Sequence, residues 1–221
     1  MNKIGVIIVA GGSGSRMKTN TPKQFIEING KPLLKYTIDR FFNWNSNLDL
    51  ILVLPETEID TWKNLVTQNN YSLNYRICKG GKERFNSVKN GLDLLDNDLI
   101  MIHDGVRPFV SNPTLDRCLN TATSLGSSIP VVPLVESIRK ITTGGSQPFD
   151  RNSLRLVQTP QCFKKDWIKK AYQQSYSVDF TDDASVVQKA GYSINLVEGN
   201  RENIKITTPD DLRLAELYLR D

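Results

Sequence analysis

Residues 8 to 25 read Ile-Val-Ala-Gly-Gly-Ser-Gly-Ser-Arg-Met-Lys-Thr-Asn-Thr-Pro-Lys-Gln-Phe, an apolar run that passes straight into a glycine-rich turn carrying Arg16, Lys18 and Lys23. Backbone N–H groups without side chains in the way can lie against phosphate oxygens, and the cations that follow can neutralise them. The stretch reads as a nucleotide triphosphate site. The plainer alternative is a glycine turn that only joins a strand to a helix. Two commoner phosphate loops are excluded by single residues. A Walker loop needs Gly-x4-Gly-Lys-Ser/Thr, and from Gly12 the chain has Met17 where the second glycine belongs. A dinucleotide fingerprint from Gly12-x-Gly14 fails at the same methionine, and Pro22 then interrupts any helix. A nicotinamide cofactor is therefore not expected.

Three further segments carry groups suited to phosphoryl chemistry. Asp104 follows the apolar run Leu99–Ile102 and precedes Gly105, which puts a lone carboxylate at the end of a strand. Magnesium takes one or two protein carboxylates and completes its shell with water and substrate phosphates, so one such aspartate suffices; an Asp-Gly turn without a ligand is the bland reading. His103 is the only histidine. That excludes a multi-histidine metal site, no serine or cysteine is singled out to make a triad with it, and a hydrogen-bonded structural imidazole is favoured over a catalytic one. In Asn203-Ile204-Lys205-Ile206-Thr207 the lysine alternates with two isoleucines and so faces away from them, either towards a crevice or simply into solvent. Arg151, read by itself, is a solvated charge.

Apolar, β-branched runs at Ile4–Ala10, Leu48–Leu54, Tyr75–Cys78, Leu99–His103 and Ser128–Pro133 are separated by segments long enough for helices. That alternation implies a parallel sheet. Leu34, Ile38, Phe41 and Phe42 form one helical face after the turn Asn29-Gly30-Lys31-Pro32. Beyond Pro133 two extended stretches, Glu136–Thr142 and Phe149–Thr159, flank a glycine pair at Gly144-Gly145 and suggest a projecting β-arm. Helices are expected near Lys164–Tyr176 and Asp182–Gly191, a strand near Ile194–Glu198, and a last helix capped by Thr208 with Pro209 and Asp211 in its first turn. Ligands of open parallel sheets bind beyond the carboxyl ends of the strands, where the glycine loop, Gly80-Gly81-Lys82-Glu83-Arg84 and His103-Asp104-Gly105-Val106-Arg107-Pro108 can converge.

Composition narrows the class further. A chain of 221 residues, 39% hydrophobic and 24% charged, suits one large globular domain spanning 1–221. Cys78, Cys118 and Cys162 are odd in number and widely spaced, which supports neither a disulfide framework nor a zinc site. The net charge of +4 is spread along the chain without a basic run, so a small anionic substrate is expected and nucleic acid is not. No apolar stretch is long enough to span a membrane and no cleavage site follows the first strand, from which a cytoplasmic location is expected.

Ala10-Gly11-Gly12-Ser13-Gly14-Ser15-Arg16-Met17, Pro22-Lys23-Gln24-Phe25, Gly80-Gly81 with Arg84 and Ser87, His103 to Pro108, Gln158-Thr159-Pro160-Gln161, Thr181-Asp182-Asp183-Ala184-Ser185, and Val197-Glu198-Gly199 through Asn203-Ile204-Lys205-Ile206-Thr207 stand in one order along nearly the whole chain. Together they resemble the 2-C-methyl-D-erythritol 4-phosphate cytidylyltransferase family. The resemblance implies an α/β, Rossmann-like nucleotidyltransferase fold with a mostly parallel central sheet and a projecting β-arm at 136–159 that exchanges between the subunits of a homodimer. It implies that CTP and methylerythritol phosphate give CDP-methylerythritol and pyrophosphate, in the non-mevalonate route to isoprenoids. Arg16, Lys23 and Lys205 would be catalytic. Ala10, Gly11, Gly12, Gly81, Ser87 and Asp104 would bind the nucleotide, with Asp104 also holding Mg²⁺. Arg107, Ser137, Arg151 and Thr159 would bind the polyol phosphate. Two positions depart from the pattern: Ser137 stands where threonine is common, and Lys82 where an aspartate is common beside the cytidine. A ribitol 5-phosphate cytidylyltransferase shares most of these motifs, and a nucleotide-binding protein that has lost its chemistry is the alternative from another class.

Overall fold

The computed structural model describes residues 3–12, 21–71 and 74–219. Its central sheet is built from β1 (Ile4–Val9), β4 (Asp49–Leu54), β5 (Arg76–Lys79), β6 (Leu99–Asp104), β7 (Ser127–Pro133), β10 (Arg155–Val157), β11 (Gln161–Lys164) and β12 (Leu196–Glu198). Two short pairs lie outside it, β2 (Glu27–Ile28) with β3 (Lys31–Pro32) and β8 (Ile138–Thr142) with β9 (Gly145–Phe149). The strand order is β10-β7-β11-β6-β1-β4-β5, with β12 beside β7. The pairs β1 with β4, β1 with β6, β4 with β5 and β12 with β7 are parallel, and β11 runs antiparallel to both β6 and β7.

The alternation of side chains along β1 explains the layers. Val6 and Ile8 face one side and pack with α1 (Leu33–Trp44), α2 (Glu56–Gln68) and α4 (Asn112–Leu125) through Leu34, Ile38, Phe41, Trp62, Leu115 and Cys118. Ile7 faces the other and packs with α3 (Arg84–Leu92), α5 (Lys165–Ala171) and α6 (Asp183–Lys189) through Val88, Leu92, Ile168 and Val187. The helical face expected at Leu34, Ile38 and Phe41 is the buried face of α1. Helix α7 (Pro209–Tyr218) closes a smaller core with Ile28, Leu33 and Ile206. Thr208 caps it and exchanges bonds with Asp211, as its sequence predicts. None of the helices among the described residues is long and apolar enough to cross a membrane.

Three expectations need correction. The partner of Ile138–Thr142 is Gly145–Phe149, while Arg155–Val157 returns to the central sheet and pairs with Val131–Pro133. The helix expected to run to Tyr176 stops at Ala171, because Gln174 turns its amide back onto the carbonyls of Ala171 and Val186 at 2.9 and 3.0 Å and so ties α5 to α6. Strand β11 has no counterpart in the sequence reading. It is four residues long and opens with Gln161, whose buried amide accepts from the Ala184 N–H and donates to Asp182, both at 2.8 Å.

Candidate active site

After β1 the chain builds β4 and β5 on one side and then crosses to β6 on the other. The carboxyl ends of β1 and β6 therefore flank the point where the sheet reverses its order, the place where open α/β sheets hold ligands. A cavity of about 300 Å³ opens there, lined by Ala10, Gly11 and Gly12 after β1, Gly81 to Arg84 and Ser87 around the start of α3, Asp104 after β6, and Lys23 and Lys205. Arg16 lies outside the described residues.

Backbone constraints shape the side of this cavity formed by Gly81 and Ser87. The Gly81 N–H donates to Ser87 Oγ at 3.0 Å, and that hydroxyl donates to the Glu83 carbonyl at 3.1 Å. A Cβ on Gly81 would lie 2.3 Å from Cβ of Asn86, so only glycine allows the strand to pass this close to the helix start. Gly12 faces Lys23: a Cβ there would stand 3.2 Å from Nζ. The lysine amine and the glycine backbone thus share one corner of the cavity, which Lys82 also lines.

Asp104 sits in a ring of cations. Lys205 Nζ and Arg107 Nε approach Oδ2 at 3.1 and 3.2 Å, and Arg84 Nη2 lies 3.8 Å from Oδ1. Burial pushes this carboxyl up, but Arg84, Lys205 and Arg107 more than offset it and hold the group well below the ordinary carboxylate range. It is ionised throughout the physiological range. Arg84 is itself fixed by a two-pronged pair to Asp183 at 2.6 and 2.7 Å, and Tyr172 adds a bond to the same carboxylate at 2.6 Å. Burial alone would lower the Arg84 pKa; the Asp183 charge more than compensates and raises it. Asp183 is fully buried and Arg84 about one-third exposed, so one end of this pair anchors in the core and the other borders the cavity. Lys23, Lys82, Arg84 and Lys205 line the cavity against Glu83 and Asp104, and the excess of positive charge suits a polyanion.

The remaining expected residues fall into three groups. Thr159 and Arg107 stand behind Asp104. The Thr159 hydroxyl accepts from the Asp104 N–H at 3.1 Å, and Arg107 reaches the Asn203 carbonyl at 2.7 Å. Lys205 points into the cavity while Ile206 is fully buried, the alternation its neighbours suggest. Ser137 and Arg151 are exposed on the arm and line no part of this cavity in their own chain; Arg151 donates to the Val135 carbonyl. Sequence reasoning did not assign Arg84, Asp183 and Tyr172 to the site. Arg84 and Asp183 stand in the quoted motifs, Arg84 also at a converging strand end, but nothing in the sequence pairs two residues 99 positions apart.

His103 is fully buried, with its ring edge-on to Phe41 at 4.9 Å. Both nitrogens are engaged, Nε2 with the Arg107 carbonyl and Nδ1 with Thr159 Oγ1, each at 2.9 Å. Burial lowers its pKa from 6.5 to about 4, against the opposing pull of the Arg107 carbonyl and the Asp104 charge. Between those two values the unfolded chain binds a proton that the folded chain does not, so stability is present at neutral pH and is lost as pH falls through this window. From this group alone the unfolding free energy in urea is expected to be about 2 kcal/mol smaller at pH 5 than at pH 7. A flat profile over that range would contradict a buried neutral imidazole.

A doubly wound, mostly parallel sheet that opens a cation-rich, glycine-edged cavity at its reversal point has the architecture of a nucleotidyltransferase. The sequence profile of the family described as 2-C-methyl-D-erythritol 4-phosphate cytidylyltransferase matches residues 4–221. The enzymes of that name from Bacteroides fragilis and Porphyromonas gingivalis are 48% and 44% identical to the chain, each over 96% of it and over 98% and 96% of their own length. Among solved structures, 4-diphosphocytidyl-2C-methyl-D-erythritol synthase of Anaerococcus prevotii superimposes with a TM-score of 0.84 at 29% identity, covering 100% of this chain and 97% of that one. The cytidylyltransferase of Francisella tularensis gives 0.80 at 31%, covering 97% and 99%. The chain belongs to the 2-C-methyl-D-erythritol 4-phosphate cytidylyltransferase family.

Proposed function

We propose that the chain is a single-domain cytidylyltransferase that joins CTP to 2-C-methyl-D-erythritol 4-phosphate and releases pyrophosphate, serving isoprenoid biosynthesis. The observation that carries this reading is the ionised Asp104 among an excess of cations, beside a glycine-edged cavity of nucleotide size. The acceptor's phosphate attacks the α-phosphorus directly. With a second pKa of about 6 it is largely ionised at neutral pH and needs no general base. His103, with both nitrogens engaged, is not placed to act as one.

Catalysis then rests on alignment and on charge stabilisation as negative charge spreads over the α-phosphoryl oxygens. Lys23 and, by its place in the sequence, Arg16 hold the triphosphate, and Lys205 meets the α-phosphate or the incoming phosphate. Ala10, Gly11, Gly12, Gly81 and Ser87 border the nucleoside, where backbone groups can read the edge of a pyrimidine. Asp104 fits a hard divalent cation: it is ionised, and Oδ1 has its cation neighbour beyond hydrogen-bonding distance at 3.8 Å. The surrounding cations disfavour a metal arriving alone, so Mg²⁺ would enter with the nucleotide, held by Asp104 and phosphate oxygens. It would supply charge neutralisation.

Arg107 and Thr159 with Ser137 and Arg151 bind the acceptor, the last two reaching the site from the arm of a second subunit. Support for that homodimer comes from the arm itself. Ile141 at 79% and Phe149 at 40% exposure, with Leu156 at 54% on the neighbouring edge, leave an apolar surface that a partner would cover. Incubation with CTP, Mg²⁺ and either methylerythritol phosphate or ribitol 5-phosphate, followed by pyrophosphate release, tests the assignment. Turnover with the first is expected, and preference for the second would overturn it.

A further inference from the structure

Gln24 follows Lys23 and lines the same cavity, yet the reaction gives it no part. Its side chain is fully buried, an uncommon place for a long amide. Nε2 donates to a Glu58 carboxylate oxygen, which fixes which end of the amide faces α2. Oε1 is left without a hydrogen-bond partner among the described residues. A buried carbonyl without a partner costs free energy that an apolar side chain of the same shape would not, so stability alone favours an apolar residue here.

The bond to Glu58 ties down the turn that carries Lys23. Residues Lys23–Phe25 form a single 3-10 turn, closed by the Phe25 N–H on the Pro22 carbonyl at 2.8 Å and the Ile26 N–H on the Lys23 carbonyl at 3.3 Å. A turn this short has little rigidity of its own. Phe25 anchors one end of it by stacking on Trp62 of α2, with ring centroids 5.6 Å apart, and Gln24 anchors its centre on the first turn of the same helix. Pro55, which precedes that helix, touches the glycine loop: a Cβ on Gly11 would meet its ring at 3.7 Å. The start of α2 is therefore in contact both with Gly11 and with the turn that brings Lys23 Nζ against Gly12.

We propose that Gln24 and Glu58 are positioning residues that hold the Lys23 ammonium against the glycine loop, where the triphosphate of CTP is gripped. The inference rests on the cytidylyltransferase reading and deepens it. Glutamine suits the task because it bonds the carboxylate without bringing a second charge beside Lys23. The amide is kept for what Nε2 holds in place, at the expense of a carbonyl that nothing satisfies.

Gln24→Met keeps the length and burial of the side chain and removes the bond. It is expected to lower kcat about ten- to hundredfold, the scale of a displacement of about 1 Å in a catalytic contact, and to weaken binding of CTP with Mg²⁺, measured by calorimetry without acceptor, about three- to tenfold. The melting temperature should hold or rise, because the unsatisfied carbonyl is gone. A glutamine that served the fold alone would give the reverse, a lower melting temperature with normal turnover and CTP binding, and that result overturns the proposal. Glu58→Ala, on a half-buried side chain, should repeat the losses, and Glu58→Gln should restore most of them, since its carbonyl still accepts from Nε2. Equal loss in both Glu58 variants would make the charge responsible instead of the bond and refute the proposal. In a Lys23→Ala background neither Gln24→Met nor Glu58→Ala should lower turnover further, because the group they aim is absent; a full second loss would refute the link to Lys23. Calorimetry needs no acceptor, so a chain whose CTP binding follows this pattern but which turns over neither methylerythritol phosphate nor ribitol 5-phosphate would refute the functional reading and leave the positioning of Lys23 standing.

Discussion

Lys205→Ala is expected to lower kcat by on the order of 10²- to 10³-fold, the usual scale for removing one preorganised contact to transition-state charge. The size of the effect follows from where the residue stands. Nζ is 3.1 Å from Asp104 and 42% exposed, at the mouth of the cavity where the α-phosphate and the acceptor would meet. The same exposure limits its structural part. The lysine is the exposed half of a pair whose carboxylate is buried, and Asp104 keeps Arg84 and Arg107 when the lysine is gone, so its charge is not left unpaired. Thermal unfolding should therefore move by a few degrees at most while turnover collapses. Pyrophosphate release and a melting curve on one preparation check both halves. Full activity would remove Lys205 from the site, and an unfolded variant would show that the ion ring holds the fold together.

The contrast between Lys205 and Arg84 shows what a sequence of this kind makes legible. Lys205 sits in a local alternation, with Ile204 and Ile206 on the other side, so the spacing turns it away from them and leaves only crevice or solvent open. Asp104 was equally accessible: a carboxylate between an apolar strand and a glycine can only stand at the sheet edge. Arg84 gains its fixed position from Asp183, and no local pattern announces a pair separated by 99 residues. Strand β11 was hidden for a related reason. It is short and carries Gln161 inward to hold Asp182 and the start of α6, so its polarity hid its burial. The arm was visible as extended chain around a glycine pair. Which extended segment pairs with which is decided by register across the sheet, so Arg155–Val157 could not be separated from the arm until β7 was in place. Local rules reach the parallel strands, the cap of the last helix and the cations; the network that holds Asp104 is a property of the assembled sheet.

Arm exchange makes a prediction that a shared site meets and a self-contained one cannot. Arg151→Ala leaves a chain whose cavity is intact but whose arm lacks the proposed phosphate contact, and Lys205→Ala leaves an intact arm on a chain with a damaged cavity. Each variant alone should have turnover lowered by at least about tenfold, since each removes a charged contact to a phosphate. If the arm of one subunit completes the other's cavity, a heterodimer of the two variants contains one site with intact Lys205 and intact Arg151. Mixing the variants under conditions that let subunits exchange is then expected to regain activity that neither parent has. If each arm folded back on its own chain, every site in the mixture would carry one defect and activity would stay at the parental level. Both substitutions lie on exposed or half-exposed side chains, so loss of folding is not expected to obscure the result. The single residue that makes the experiment decisive is Arg151, because in its own chain its guanidinium is turned to the Val135 carbonyl and borders no part of the nucleotide cavity. A phosphate-binding role for it therefore requires a second subunit, and the mixture measures that requirement directly.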